Sequence, residues 1–93
     1  MLKSFADKET RKIWNEERSK RLPPDIQQRA LLKLAMISEA IDINDLRRPP
    51  ANRLESLKGN RGGQFSIRIN QQWRICFRWE NGHAHEVEIT DYH

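Results

Sequence analysis

A chain of 93 residues with 37% hydrophobic and 32% charged side chains makes one domain with a thin core, enough for a single layer packed on a sheet. Its formal net charge of +4 fits an anionic partner, either nucleic acid or an acidic protein segment, and equally an ordinary surface of lysine and arginine. Cys76 is the only cysteine, which excludes an intrachain disulfide, and no stretch approaches the roughly 20 apolar residues that span a bilayer, so a soluble protein of the reducing cytoplasm is expected.

In chain order, "MLKSF" reads as a short strand, and the polar "DKETRKIWNEER" predicts a first helix over 7 to 18 with Asp7 as its N-cap and Ile13 and Trp14 as its anchors. "LPPD" breaks the chain. A second helix is expected over 25 to 41, because Ile26, Ala30, Leu34, Ile37 and Ile41 recur at three- and four-residue spacings and form one apolar stripe. "DINDLRRPP" allows at most one short helical turn before Pro49 and Pro50 stop it. From Gln64 the period changes to two. Phe65, Ile67 and Ile69 point one way in "QFSIRIN", and Trp73, Ile75, Phe77 and Trp79 share a face in "WRICFRW". Asn81 and Gly82 signal a two-residue hairpin into a third strand, "AHEVEITDY". The fold class is therefore α+β, with two N-terminal helices on one side of a small antiparallel sheet.

The other side of that sheet carries Arg68, Arg74 and Arg78, and "LKGNRGG" adds Lys58 and Arg61 in a loop with glycines. Guanidinium forks bind phosphate oxygens in pairs and loop glycines let a backbone come close, so this surface suits a phosphodiester chain. A solvated sheet face, its arginines paired with Glu86 or Glu88, accounts for the same pattern. The closing "DYH" offers acid, hydroxyl and imidazole groups in Asp91, Tyr92 and His93, and a histidine exchanges protons near neutrality. Strand parity sets Tyr92 on the opposite side from Asp91 and His93. Two other candidates are weaker. His83 and His85 share a strand face but have no evident third metal ligand, and Cys76 reads as a small packing residue.

The segment "NRLESLKGNRGGQFSIRINQQWRICFRW" together with "VEITDYH" resembles the HigB toxins, a branch of the RelE/ParE superfamily of toxin–antitoxin systems. The resemblance implies a microbial-ribonuclease-like fold and ribosome-dependent, metal-independent cleavage of messenger RNA, with no cofactor. It also implies a HigA-type helix-turn-helix antitoxin, which alone would contact operator DNA. On this resemblance the catalytic positions fall on Lys58, Arg74, Asp91, Tyr92 and His93; beside them, the basic residues Arg53, Arg61, Arg68 and Arg78 are the candidates for holding RNA. Glu55 stands where a well-described branch has a histidine, and serves either as a base or as an ion-pair partner of Lys58. Two rival functions stay open: a ParE-like toxin that acts on DNA gyrase without cutting RNA, and a non-catalytic module that binds RNA or protein.

Overall fold

The computed structural model describes residues 1–91. Residues 1–6 run parallel beside the last strand, through single bridges of Leu2 to Ala84 and Phe5 to Val87. The expected "MLKSF" strand thus exists as two isolated pairings. Helix α1, Lys8–Trp14, starts where the Asp7 carboxylate accepts the Thr10 N–H at 2.7 Å. It ends well before residue 18, since Glu16 takes a positive φ of 61° that leaves the right-handed helix. Thr10, fully buried on α1, accepts the Ile89 N–H at 2.9 Å and so ties the helix to the sheet where the parallel pairing stops.

Helix α2, Pro24–Glu39, opens on a proline whose missing N–H is not needed there. It buries Ile26, Ala30, Leu34 and Ile37 as its stripe predicts. Ile41 departs from the prediction: the chain turns extended at Ala40, and Ile41 is left 84% exposed. A 3-10 turn, Ile43–Arg47, follows, closed by a reciprocal Asp42–Asp45 capping box. The prolines end that turn as expected, yet Pro50 also opens another, Pro50–Asn52, because its fixed φ suits a first helical position.

Among the described residues, four antiparallel strands lie in chain order: β1 Glu55–Ser56, β2 Gln64–Arg68, β3 Trp73–Glu80 and β4 His83–Asp91. The two-residue β1 is too short to show any alternation, which is why periodicity finds only three strands. Asn81 and Gly82 both take positive φ, 52° and 78°, as a tight hairpin turn requires. Glu86, φ 53°, is the extra residue of a bulge in β4, where two steps on β3 from Cys76 to Arg78 match three on β4. The bulge allows Ala84 and Val87, three apart, both to be buried. Both helices pack on one face of the sheet, over Ile67, Ile75, Phe77, Val87 and Ile89.

The centre of the opposite face is buried, while its rim keeps partly exposed pairs of Arg61 with Glu88 and Arg78 with Glu86. Ser66 and Cys76 are fully buried there and Arg74 nearly so. The segment 53–63 folds back over them: Leu57 is buried, and its N–H bonds the Gln64 carbonyl at 2.8 Å.

Candidate functional site

Strand register fixes which side chains share this second face. Glu55 pairs with Ser66, Ser66 with Cys76 and Cys76 with Glu88, so one row crosses all four strands. The next row is Arg68, Arg74 and Thr90, and another sets Gln64 opposite Arg78 and Arg78 opposite His85. Arg68 and Arg74 are direct cross-strand partners, a like-charge pair that disfavours the sheet unless other groups take up the charge.

Arg74 is the anchor of the face. Its Nε donates to Ser66 Oγ at 2.8 Å, and its Nη2 donates to the Arg53 carbonyl at 2.6 Å and the Ser66 carbonyl at 3.3 Å. These three acceptors are neutral and hold the guanidinium plane in one orientation. Arg53 meets Arg74 through its backbone, at a left-handed φ of 46°, while its own side chain is exposed. Ser66 was not singled out by sequence. Its place in the alternation, two residues before Arg68, is the signal that would have found it.

Lys58 is exposed at the start of the Gly59–Arg61 turn, and its ammonium makes no hydrogen bond or ion pair among the described residues. Glu55 is exposed on the row beside Arg74, and no ion pair joins it to Lys58. Arg61 spans the face instead, with Nη1 3.2 Å from Gln64 Oε1 and 3.1 Å from Glu88 Oε1. Arg68 turns its Nε to the Asn70 carbonyl at 3.0 Å, and Arg78 Nε pairs with Glu86 at 3.2 Å. Gly63 takes a φ of +86°, which favours glycine, and a Cβ there would stand 3.1 Å from Arg78 Nη1, so the loop runs close beside that guanidinium.

Burial pushes the Cys76 thiol up, against the opposing pull of the Thr90 hydroxyl and Arg61, which leaves the sulfur protonated and inert as packing. Burial also lowers the His83 imidazole, helped by Lys3, the terminal amine and His85. Asp91 lies opposite Trp73, on the side of the sheet that faces the helices, and accepts a hydrogen bond from Gln72 at 3.0 Å. Register therefore separates it from the row of Arg74. Tyr92 and His93 lie outside the described residues. The structure thus brings Glu55, Arg61, Arg68, Arg74 and Arg78 onto one face with Lys58 at its edge.

A family model described as the RelE-like toxin of type II toxin-antitoxin system HigB matches residues 3–93. Among curated proteins, the chain is 40% identical to Toxin HigB-1 of Vibrio cholerae over 85 residues, 90% of each chain. It is 33% identical to Endoribonuclease HigB of Proteus vulgaris over 93 residues, the full length of both. Among solved structures, a chain of a YoeB-YefM complex from Staphylococcus aureus shares the fold at TM-score 0.62 and 19% identity, covering 100% of this chain and 98% of that one. The chain belongs to the HigB family of RelE-like toxins of type II toxin–antitoxin systems.

Proposed function

We propose, from that membership, that this single domain is a ribosome-dependent endoribonuclease that stops translation in the cytoplasm by cutting messenger RNA. The relative from Proteus vulgaris carries the name of an endoribonuclease and aligns along its whole length. The observation that carries the reading is the buried, clamped Arg74 guanidinium, set in a face rimmed by the exposed cations Lys58 and Arg53. A fixed positive charge in a poorly hydrated site stabilises developing negative charge without reorganising at the moment of reaction.

The reaction that suits such a site is transfer within the RNA. A base takes the proton of a ribose 2′-OH, the 2′ oxygen attacks the adjacent phosphorus, and the P–O5′ bond breaks to leave a 2′,3′-cyclic phosphate. The leaving 5′ oxygen takes up a proton. Arg74 and Lys58 hold the extra charge on the phosphorane oxygens, and Arg53, Arg61, Arg68 and Arg78 hold neighbouring phosphates. His93 is the proton-transfer group, with Tyr92 bonding the phosphate. Glu55, on the row next to Arg74, is the second candidate base. Asp91 assists His93, either by orienting it or as a base. All steps use protein groups, with no metal or cofactor.

The ribosome supplies substrate positioning, because the face offers few groups to read a base. A HigA-type antitoxin neutralises the toxin, and operator DNA is bound only through that partner. Mapping cleavage ends on ribosome-bound message tests the reading: wild type should cut within translated codons, and His93→Ala should not. Intact messages with wild-type protein, or equal cutting by a folded His93→Ala protein, would overturn it.

A further inference from the structure

A concavity of about 360 Å³ opens between α2, the Pro50–Asn52 turn and the β2–β3 connection, lined by Arg29, Lys33, Ala51, Arg68, Asn70 and Gln71. Among the described residues no carboxylate lines it. Two of its carbonyl acceptors are engaged within the protein: Arg29 Nη1 donates to the Ile69 carbonyl at 3.4 Å and Arg68 Nε to the Asn70 carbonyl at 3.0 Å. Asn70 Oδ1 accepts the Gln72 and Trp73 N–H groups, both at 2.8 Å. N–H donors on the Arg29, Lys33 and Arg68 cations and on the Gln71 amide face a ligand there.

The cations are also placed against their own interest. Arg29 and Lys33 sit at i and i+4 on α2, where like charges repel. Lys33 Nζ is fixed at 2.5 Å from Oδ1 of Asn52, a fully buried side chain whose amide in turn donates to the Leu46 and Arg48 carbonyls at 3.2 Å. Burial and the Arg29 charge together lower the Lys33 pKa. Neither Arg29, Lys33 nor Arg68 has an ion-pair partner among the described residues. An anion held between them relieves the repulsion and uses the free donors.

We propose that this concavity is a phosphate subsite for RNA, holding one phosphodiester group beyond the cleavage face. Arg68 links the two places, because it lines the concavity and is also the direct cross-strand partner of Arg74. A strand of RNA lying along the row of Arg74 and Arg68 brings a further phosphate to Arg29 and Lys33. This rests on the nuclease reading above for the identity of the anion; an acidic protein segment is the competing occupant.

The test uses the full chain and a 2′-O-methyl RNA oligonucleotide, which cannot be cut, free and loaded on ribosomes. Arg29→Gln with Lys33→Gln should weaken binding about tenfold and lower the slope of log affinity against log salt by roughly 0.7 for the lost phosphate, while Arg29→Lys keeps the wild-type slope. Arg29 is exposed, so Arg29→Gln alone carries the test if the double variant melts early. Loss on the free oligonucleotide assigns the phosphate to message. Loss seen only on ribosomes assigns it to ribosomal RNA. Unchanged binding in both, or weakening confined to a protein partner, overturns the subsite. A wild-type protein that cuts nothing while Arg29→Gln still weakens RNA binding sinks the nuclease reading and leaves the subsite standing.

Discussion

The two faces of the sheet each have a buried centre, covered by different means. One is covered by α1 and α2 and packed with Ile67, Ile75, Phe77, Val87 and Ile89. The other is covered by the segment 53–63 and packed around Ser66, Cys76 and the Arg74 guanidinium. Apolar burial is non-directional and tolerates approximate geometry, whereas a buried guanidinium needs acceptors at set positions. The first face therefore holds the fold, and the second holds a charge in place at some cost to the fold.

Truncating the helix-covered face should give the largest effect. Phe77 is fully buried, with ring centroids 6.4 Å from Phe65 and 6.3 Å from Trp79. Phe77→Ala should cost about 3–5 kcal/mol, a large share of the stability of a small domain, seen as a fall in the denaturation midpoint. Wild-type rates per folded molecule are expected in the remainder.

Arg74→Ala should move both readouts. The Ser66 hydroxyl and two carbonyls lose their donor, at about 1–3 kcal/mol of stability, and message cleavage should drop about a hundredfold. Arg74→Lys separates the effects, since an ammonium keeps the charge but cannot span Ser66 and Arg53 in one plane. Lys58→Ala should leave stability within about 0.5 kcal/mol of wild type, because the exposed ammonium makes no hydrogen bond or ion pair among the described residues, while cleavage falls about tenfold or more. Equal loss of stability in Lys58→Ala and Arg74→Ala would erase the distinction between the free cation and the built-in one.

The helix-covered face could be read from sequence because each of its signals is local. The α2 stripe, the alternation around Ile75 and the Asn81–Gly82 turn all lie within windows of a few residues. Ile41 misled because the last repeat of a helical pattern looks the same whether or not the chain is still helical there. On the second face, alternation told which side Arg74 takes but not how deep it lies. Its depth depends on the Arg53 carbonyl 21 residues away and on a strand of two residues, neither of which leaves a periodic trace. The Arg29–Lys33 concavity leaves no sequence signal for a similar reason: it forms only where β2 and the Pro50–Asn52 turn lie beside two residues of α2 that stand off its apolar stripe.

The smallest effect is a pH dependence that belongs to the helix layer alone. Ser19 Oγ, almost fully buried in the connection between α1 and α2, donates to Glu9 Oε1 at 2.6 Å and accepts the Arg21 and Leu22 N–H groups at 3.2 Å. That hydrogen bond, then Lys12, Arg21 and Lys8, holds the Glu9 carboxyl below its usual 4.5. A carboxyl lowered in the folded state binds its proton more readily when unfolded, so its stabilisation is complete above the unfolded value and is lost as pH falls through the folded one. Glu9→Gln should therefore lower the denaturation midpoint most at neutral pH, with the gap from wild type closing below about pH 4.5. Cleavage at neutral pH should not change, since Glu9 lies on the helix side. A gap that widens toward acid would reverse the sign and remove the Glu9–Ser19 bond from the groups that hold the two helices together.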